Sequence, residues 1–106
     1  LCDIDAAAAA ARAGEYGIGK TYTDYREALE AERPDFVDVV TRPFLHGAVV
    51  KAAADCGVTV LCQKPLAPTY EESAEMAAYC EQRGVRLLVN ENWRWQAWYR
   101  ELKRLV

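Results

Sequence analysis

Four short polar sets stand directly after apolar runs: Asp3, Thr41-Arg42-Pro43, Gln63-Lys64-Pro65 and Glu91-Asn92-Trp93-Arg94. An apolar run followed by a helical pattern is one β-α unit, and open parallel sheets bind ligands outside the carboxyl ends of their strands. The four sets are therefore expected to converge on one crevice. Lys64 is the most informative of these residues. Set between a strand end and Pro65, its ammonium can hydrogen-bond to a substrate hydroxyl or to a bound cofactor.

Asp3 precedes a helix, where a dinucleotide-binding fold places the carboxylate that accepts from the adenosine ribose hydroxyls; an ordinary helix cap would use the same residue. In the first role it favours NAD over NADP, because a carboxylate repels a 2′-phosphate. His46 is the only histidine and titrates near neutrality, which invites assignment as a general base. It sits in the first turn of a helix, where packing or capping outweighs catalysis.

Composition narrows the function class. The chain has 106 residues, 52% hydrophobic and 27% charged, enough for one globular unit with a modest core. A net charge of -3 and a sequence pI near 5.1 give no cationic field for nucleic acid or an anionic membrane, so a small molecule is the expected ligand. No apolar run is long enough to span a bilayer. Cys2, Cys56, Cys62 and Cys80 lack metal-site or disulfide spacing and read as small buried thiols, with no metal expected. A cytoplasmic setting follows from that cysteine usage. Leu1 reads as the end of a strand, so the lack of a leader sequence carries little weight.

The elements that must position these residues alternate. Strands are predicted over Phe36–Thr41, Val58–Cys62 and Val85–Asn90, valine- and leucine-rich as strands covered on both faces should be. Helices are predicted over Phe44–Cys56 and Tyr70–Arg83, stopped by Gly57 and Gly84, the second opened by a Thr69/Glu72 capping box. Asp24 starts another helix running to about Glu32. Asp5 caps an alanine-rich helix from Ala6 to Ala13, punctuated by Gly14, after which Gly17 and Gly19 break the run. Residues 91–106 place Trp93, Trp95, Trp98, Tyr99, Leu102 and Leu105 at helical spacing, predicting one helix with an apolar stripe that invites association.

The string from Val58 to Glu72, with Gln63-Lys64-Pro65 at its centre, resembles the Glu-Lys-Pro segment of the glucose–fructose oxidoreductase/inositol dehydrogenase/MocA family. Val37 to His46 is similar to that family's strand-four motif of threonine, proline and histidine. Asn92-Trp93-Arg94-Trp95 looks like its entry to the substrate domain. The resemblance covers essentially the whole chain, in order and with matching spacing. It implies an α/β fold: a Rossmann-like parallel sheet with flanking helices, lacking the first β-α unit. Residues 1–106 would be a partial NAD(P)-binding domain, with 91–106 leading toward a substrate domain outside the chain.

The resemblance further implies an NAD(P)-dependent oxidoreductase acting on a hydroxyl or carbonyl carbon of a sugar, cyclitol or related polyol. Lys64 would be catalytic. Asp3, Thr41, Arg42, Pro43, His46, Gln63, Lys64, Pro65, Asn92, Trp93 and Arg94 would line the cofactor, with Pro65 in a cis peptide. Two positions depart from the pattern. Gln63 replaces the usual glutamate and cannot pair with Lys64 by charge. Arg42 replaces a more usual proline, either adding a cation near the diphosphate or pointing to solvent.

The glycine-rich first turn is absent with its strand and helix, so the isolated chain is expected to bind cofactor weakly. In the strand order 3-2-1-4-5-6, that leaves a gap. The three clear strands should stay adjacent, with Leu1–Asp3 either beside the first of them or loose. Two other readings stand beside this one. A non-catalytic nucleotide- or ligand-sensing module would keep the fold and lose the chemistry. A flavodoxin-like receiver lacks its acidic cluster here.

Overall fold

The computed structural model describes residues 1–106, except for the side chain of Arg94. In chain order the elements are α1 (Ala6–Tyr16), α2 (Tyr25–Glu32), β1 (Phe36–Val39), α3 (Pro43–Asp55), β2 (Thr59–Gln63), α4 (Tyr70–Gln82), β3 (Leu87–Asn90), a 3-10 turn (Trp93–Trp95) and α5 (Ala97–Leu105). The three strands form one parallel sheet in the order β1-β2-β3. Val39 stands opposite Cys62, which stands opposite Val89, and Gln63 opposite Asn90. The carboxyl ends of all three strands thus reach one edge together.

Local chemistry accounts for the helices. Asp5 caps α1 by accepting from the amides of Ala7 and Ala8, Asp24 caps α2 through Arg26, and Thr69 caps α4 through Glu72. Pro43 opens α3, where its missing N–H costs nothing. Gly57 and Gly84 follow α3 and α4 with positive φ. Gly14 does not end α1 as expected: it lies inside the helix, and Gly17, at φ 67°, supplies the left-handed cap.

The core centres on β2. Val60 and Cys62 are fully buried on the sheet face that carries α3, with Val39, Val50, Ala53, Met76 and Cys80 around them. Burial pushes the Cys62 thiol up to about 11, with the Asp38 charge adding to it, so this sulfur is held as an unreactive thiol. Gly47 faces α4, where a Cβ would meet Met76 Sδ at 3.9 Å, an ordinary van der Waals contact. Across the same contact, Asp55 accepts from Tyr79 Oη at 2.9 Å and from Arg83 Nε at 2.6 Å, while the Arg83 guanidinium lies 3.5 Å from the Tyr79 ring centroid.

Several expectations are corrected. β1 ends at Val39 rather than Thr41 and β3 begins at Leu87 rather than Val85, while β2 keeps its length one residue further on, at Thr59–Gln63. The opposite sheet face is not covered within this chain: Phe36, Val40 and Leu88 are exposed on it, so the apolar runs reflect a face left open here. Residues 91–106 are not one helix, since Gln96 is extended at φ -65° and ψ 135° and separates the 3-10 turn from α5. The apolar stripe survives as exposed Trp98, Leu102 and Leu105. Leu1–Asp3 is neither loose nor beside β1. Cys2 makes a parallel bridge with Tyr22, with Tyr22 N donating to Leu1 O at 2.9 Å and Asp3 N to Tyr22 O at 3.1 Å. All four cysteines are free, but only Cys62 and Cys80 are buried; Cys2 is exposed on its short strand, and Cys56 at the end of α3.

Met76→Ala should destabilise the fold by about 2–5 kcal/mol, by loss of transfer energy and the cavity left between α3 and α4. Urea unfolding should show a lower midpoint at an unchanged slope. The Asp55 carboxyl is held below its usual value by the Arg83 and Tyr79 hydrogen bonds. Its contribution is therefore present above the ordinary carboxylate range and lost as pH falls through the lower folded value. Thermal melts of Asp55→Asn against the parent should show a deficit at neutral pH that closes in acid.

Candidate functional site

The sheet register assembles the candidate site. Extending the row of Gln63 and Asn90 by one residue places Thr41, Lys64 and Glu91 at the same edge of the sheet, where the chain leaves each strand. Lys64 is exposed, and its peptide bond to Pro65 is cis. Its backbone N–H donates to Gln63 Oε1 at 3.0 Å. The Gln63 side chain therefore folds onto the backbone of its own turn, a task that needs an acceptor and not a charge. Among the described residues, the Lys64 ammonium has no ion-pair partner.

The strand-four segment turns directly into a helix. Thr41 and Arg42 are exposed, Pro43 is half-buried at the first position of α3, and Arg42 occupies the N-cap without a side-chain capping bond. Backbone amides at this helix start carry the partial positive charge that suits an anion.

His46 differs from every other candidate. It is fully buried and has no surface to offer a ligand, so direct contact with a cofactor is not carried forward. Its Nε2 lies 3.0 Å from the Thr41 carbonyl oxygen and its Nδ1 3.0 Å from the Leu66 carbonyl oxygen. The imidazole thus joins the turn after β1 to the turn that presents Lys64. Sequence reading foresaw a packed role but not the second partner, because nothing in the sequence pairs His46 with a carbonyl twenty residues away.

Asn92 and Trp93 follow β3 and are exposed, with Trp93 N donating to Glu91 Oε1 at 2.8 Å. The Trp93 ring meets Trp98 edge-on at 5.8 Å and Tyr99 at 5.5 Å, which anchors the start of α5 to the turn. The side chain of Arg94 lies outside the described residues. Asp3 lies outside the three-stranded sheet. Its strand hydrogen-bonds to Tyr22, and its carboxylate accepts from Asp5 N at 2.9 Å, leaving the second oxygen for another donor.

A groove of about 870 Å³ opens at the other end of the sheet, lined by Leu29, Arg33, Pro34, Cys56 and Val58 among others. It lies at the amino ends of β1 and β2, away from every strand-end residue above. Ligand crevices in open α/β sheets form at the carboxyl edge, so the size of this groove does not make it the site.

Known proteins match this arrangement. The model of the oxidoreductase family with an NAD-binding Rossmann fold matches residues 1–91. A D-apiose dehydrogenase of Paraburkholderia graminis is 44% identical over 96 residues, covering 91% of this chain and 26% of that protein. A D-xylose 1-dehydrogenase (NADP(+)) of Haloferax volcanii is 42% identical over 88 residues, covering 83% of the chain and 27% of that protein. An oxidoreductase from Agrobacterium radiobacter, crystallised with NAD+, L-tartaric acid and magnesium, superimposes with a TM-score of 0.91 at 33% identity, covering 98% of this chain and 30% of that one. The chain spans less than a third of the length of these relatives. With its parallel sheet, its cis Lys64–Pro65 turn and a family match over residues 1–91, the chain belongs to the glucose–fructose oxidoreductase/inositol dehydrogenase/MocA family of oxidoreductases.

Proposed function

We propose that the protein containing this chain is an NAD(P)-dependent oxidoreductase that interconverts a hydroxyl and a carbonyl on a sugar, cyclitol or related polyol. The observation that carries the reading is Lys64, an exposed ammonium with no ion-pair partner among the described residues, on a hydrogen-bonded turn at the carboxyl edge of the sheet. The sugar-dehydrogenase names of the relatives at 44% and 42% identity support the substrate class.

The residues present fit a dinucleotide. The free N-cap at Arg42, the exposed Thr41 and the half-buried Pro43 would form one wall, with Gln63, Lys64 and Pro65 beside them and Asn92, Trp93 and Arg94 beyond. The nicotinamide, when bound, supplies the hydride acceptor. Lys64 would hydrogen-bond to the reacting oxygen and stabilise the negative charge that develops there as the hydroxyl proton passes to a general base supplied by the rest of the protein. Asp3 accepts from ribose hydroxyls and disfavours a 2′-phosphate, making NAD the preferred cofactor over NADP. The exposed Trp98, Leu102 and Leu105 stripe on α5 suits packing against further protein, in the same chain or in a homo-oligomer. No helix among the described residues is long and apolar enough to cross a membrane; on its cysteine usage, we place the protein in the cytoplasm.

Lys64→Ala should lower kcat by about 10²–10⁴-fold with an unchanged melting temperature, followed by absorbance of reduced nicotinamide over a panel of sugars and polyols. Unchanged turnover would remove Lys64 from the chemistry; no turnover of any panel member by the parent would favour a non-catalytic module. Asp3→Ser should raise kcat/KM for NADP relative to NAD by about tenfold, a gain of roughly 1.4 kcal/mol in discrimination. An unaltered ratio would leave Asp3 as a structural residue.

A further inference from the structure

The bonding of His46 has a consequence for the reacting edge. Carbonyl oxygens only accept, whereas a neutral imidazole donates from one ring nitrogen alone. The contacts to Thr41 O and Leu66 O, both 3.0 Å, are therefore both hydrogen bonds only when each nitrogen carries a proton. A neutral ring keeps one and leaves its unprotonated nitrogen facing a carbonyl lone pair.

We propose that His46 is a positioning residue: through the contacts of its two ring nitrogens it ties the Thr41 turn to the Lys64 turn and sets the place of Lys64 against the cofactor wall. The inference rests on the oxidoreductase reading for its functional half alone. Full burial keeps water from substituting for either bond, so the ring is the direct link between these two turns. Leu66 lies two residues beyond Lys64, and the intervening Pro65 restricts the backbone. Displacement of Leu66 is therefore passed on to Lys64. Charged groups on the surrounding elements are Asp38 on β1, Arg42 and Lys64 on the two turns, Lys51 and Asp55 on α3, and Glu71, Glu72, Glu75 and Glu81 on α4. Lys51 and Glu75 pair with each other at 2.6 Å, and the ring's own partners are both main-chain carbonyls.

Amide hydrogen exchange in the protein containing this chain tests the link without turnover, so its result stands apart from the oxidoreductase reading. His46→Phe fills a similar volume and has no donor; His46→Gln retains a donor that does not titrate. In His46→Phe, exchange in the segments 41–45 and 64–67 should rise together by about fivefold, the equivalent of one lost hydrogen bond, with His46→Gln intermediate. Loosening of one segment only, or of neither, overturns the link. With the enzyme active, kcat in His46→Phe should fall about ten- to a hundredfold, as expected for a displaced catalytic group, and recover partly in His46→Gln. An unchanged kcat beside concerted loosening overturns the positioning of Lys64 while leaving the link itself in place.

Discussion

Parallel pairing of β2 with both of its neighbours is the constraint on which the site depends. Thr41, Lys64 and Asn92 lie just beyond strands, and a strand end has meaning only relative to the ends beside it. Because Val39, Cys62 and Val89 share one row, three separate turns emerge at one level. A shift of one residue in either pairing would move each of those turns and also exchange the buried Val60 and Cys62 for Leu61 and Gln63 on the α3 side. Core burial and site assembly are thus enforced by the same hydrogen-bond ladder.

Much of the fold was legible because its punctuation is local. Thr69 with Glu72, Asp24 with Arg26, and the glycines after α3 and α4 act within a few residues, so the sequence carries both partners. The misreadings share a physical origin. Gly14 was taken as a stop, but a glycine in a helix costs only about 1 kcal/mol, and the alanine run carries α1 past it to Gly17. The uniform apolar character of the strands suggested cover on two faces, yet periodicity reports what a strand can bury and not what lies against it. The tail keeps helical spacing on both sides of Gln96, and spacing alone cannot reveal the extended residue that interrupts it.

The candidate site divides along the same line. Lys64, Thr41 and Asn92 were found from position alone, since the carboxyl edge of a parallel sheet is fixed by topology. The tasks of Gln63 and His46 were not. Gln63 had been weighed as a missing negative charge, whereas its amide oxygen accepts from the backbone of the next residue. For His46, the decisive partner is a main-chain carbonyl, and a carbonyl has no signature in a sequence. Interactions between a side chain and a distant backbone become visible only once the fold is known.

The bridge between Cys2 and Tyr22 makes the amino-terminal ribbon a separate ladder from β1-β2-β3. Perturbation energies at Asp3 and at the Lys64 turn should sum as independent terms, since the two places share no hydrogen-bond partner among the described residues. Evolution can therefore retune the two ends separately, drifting at one while selection holds the other.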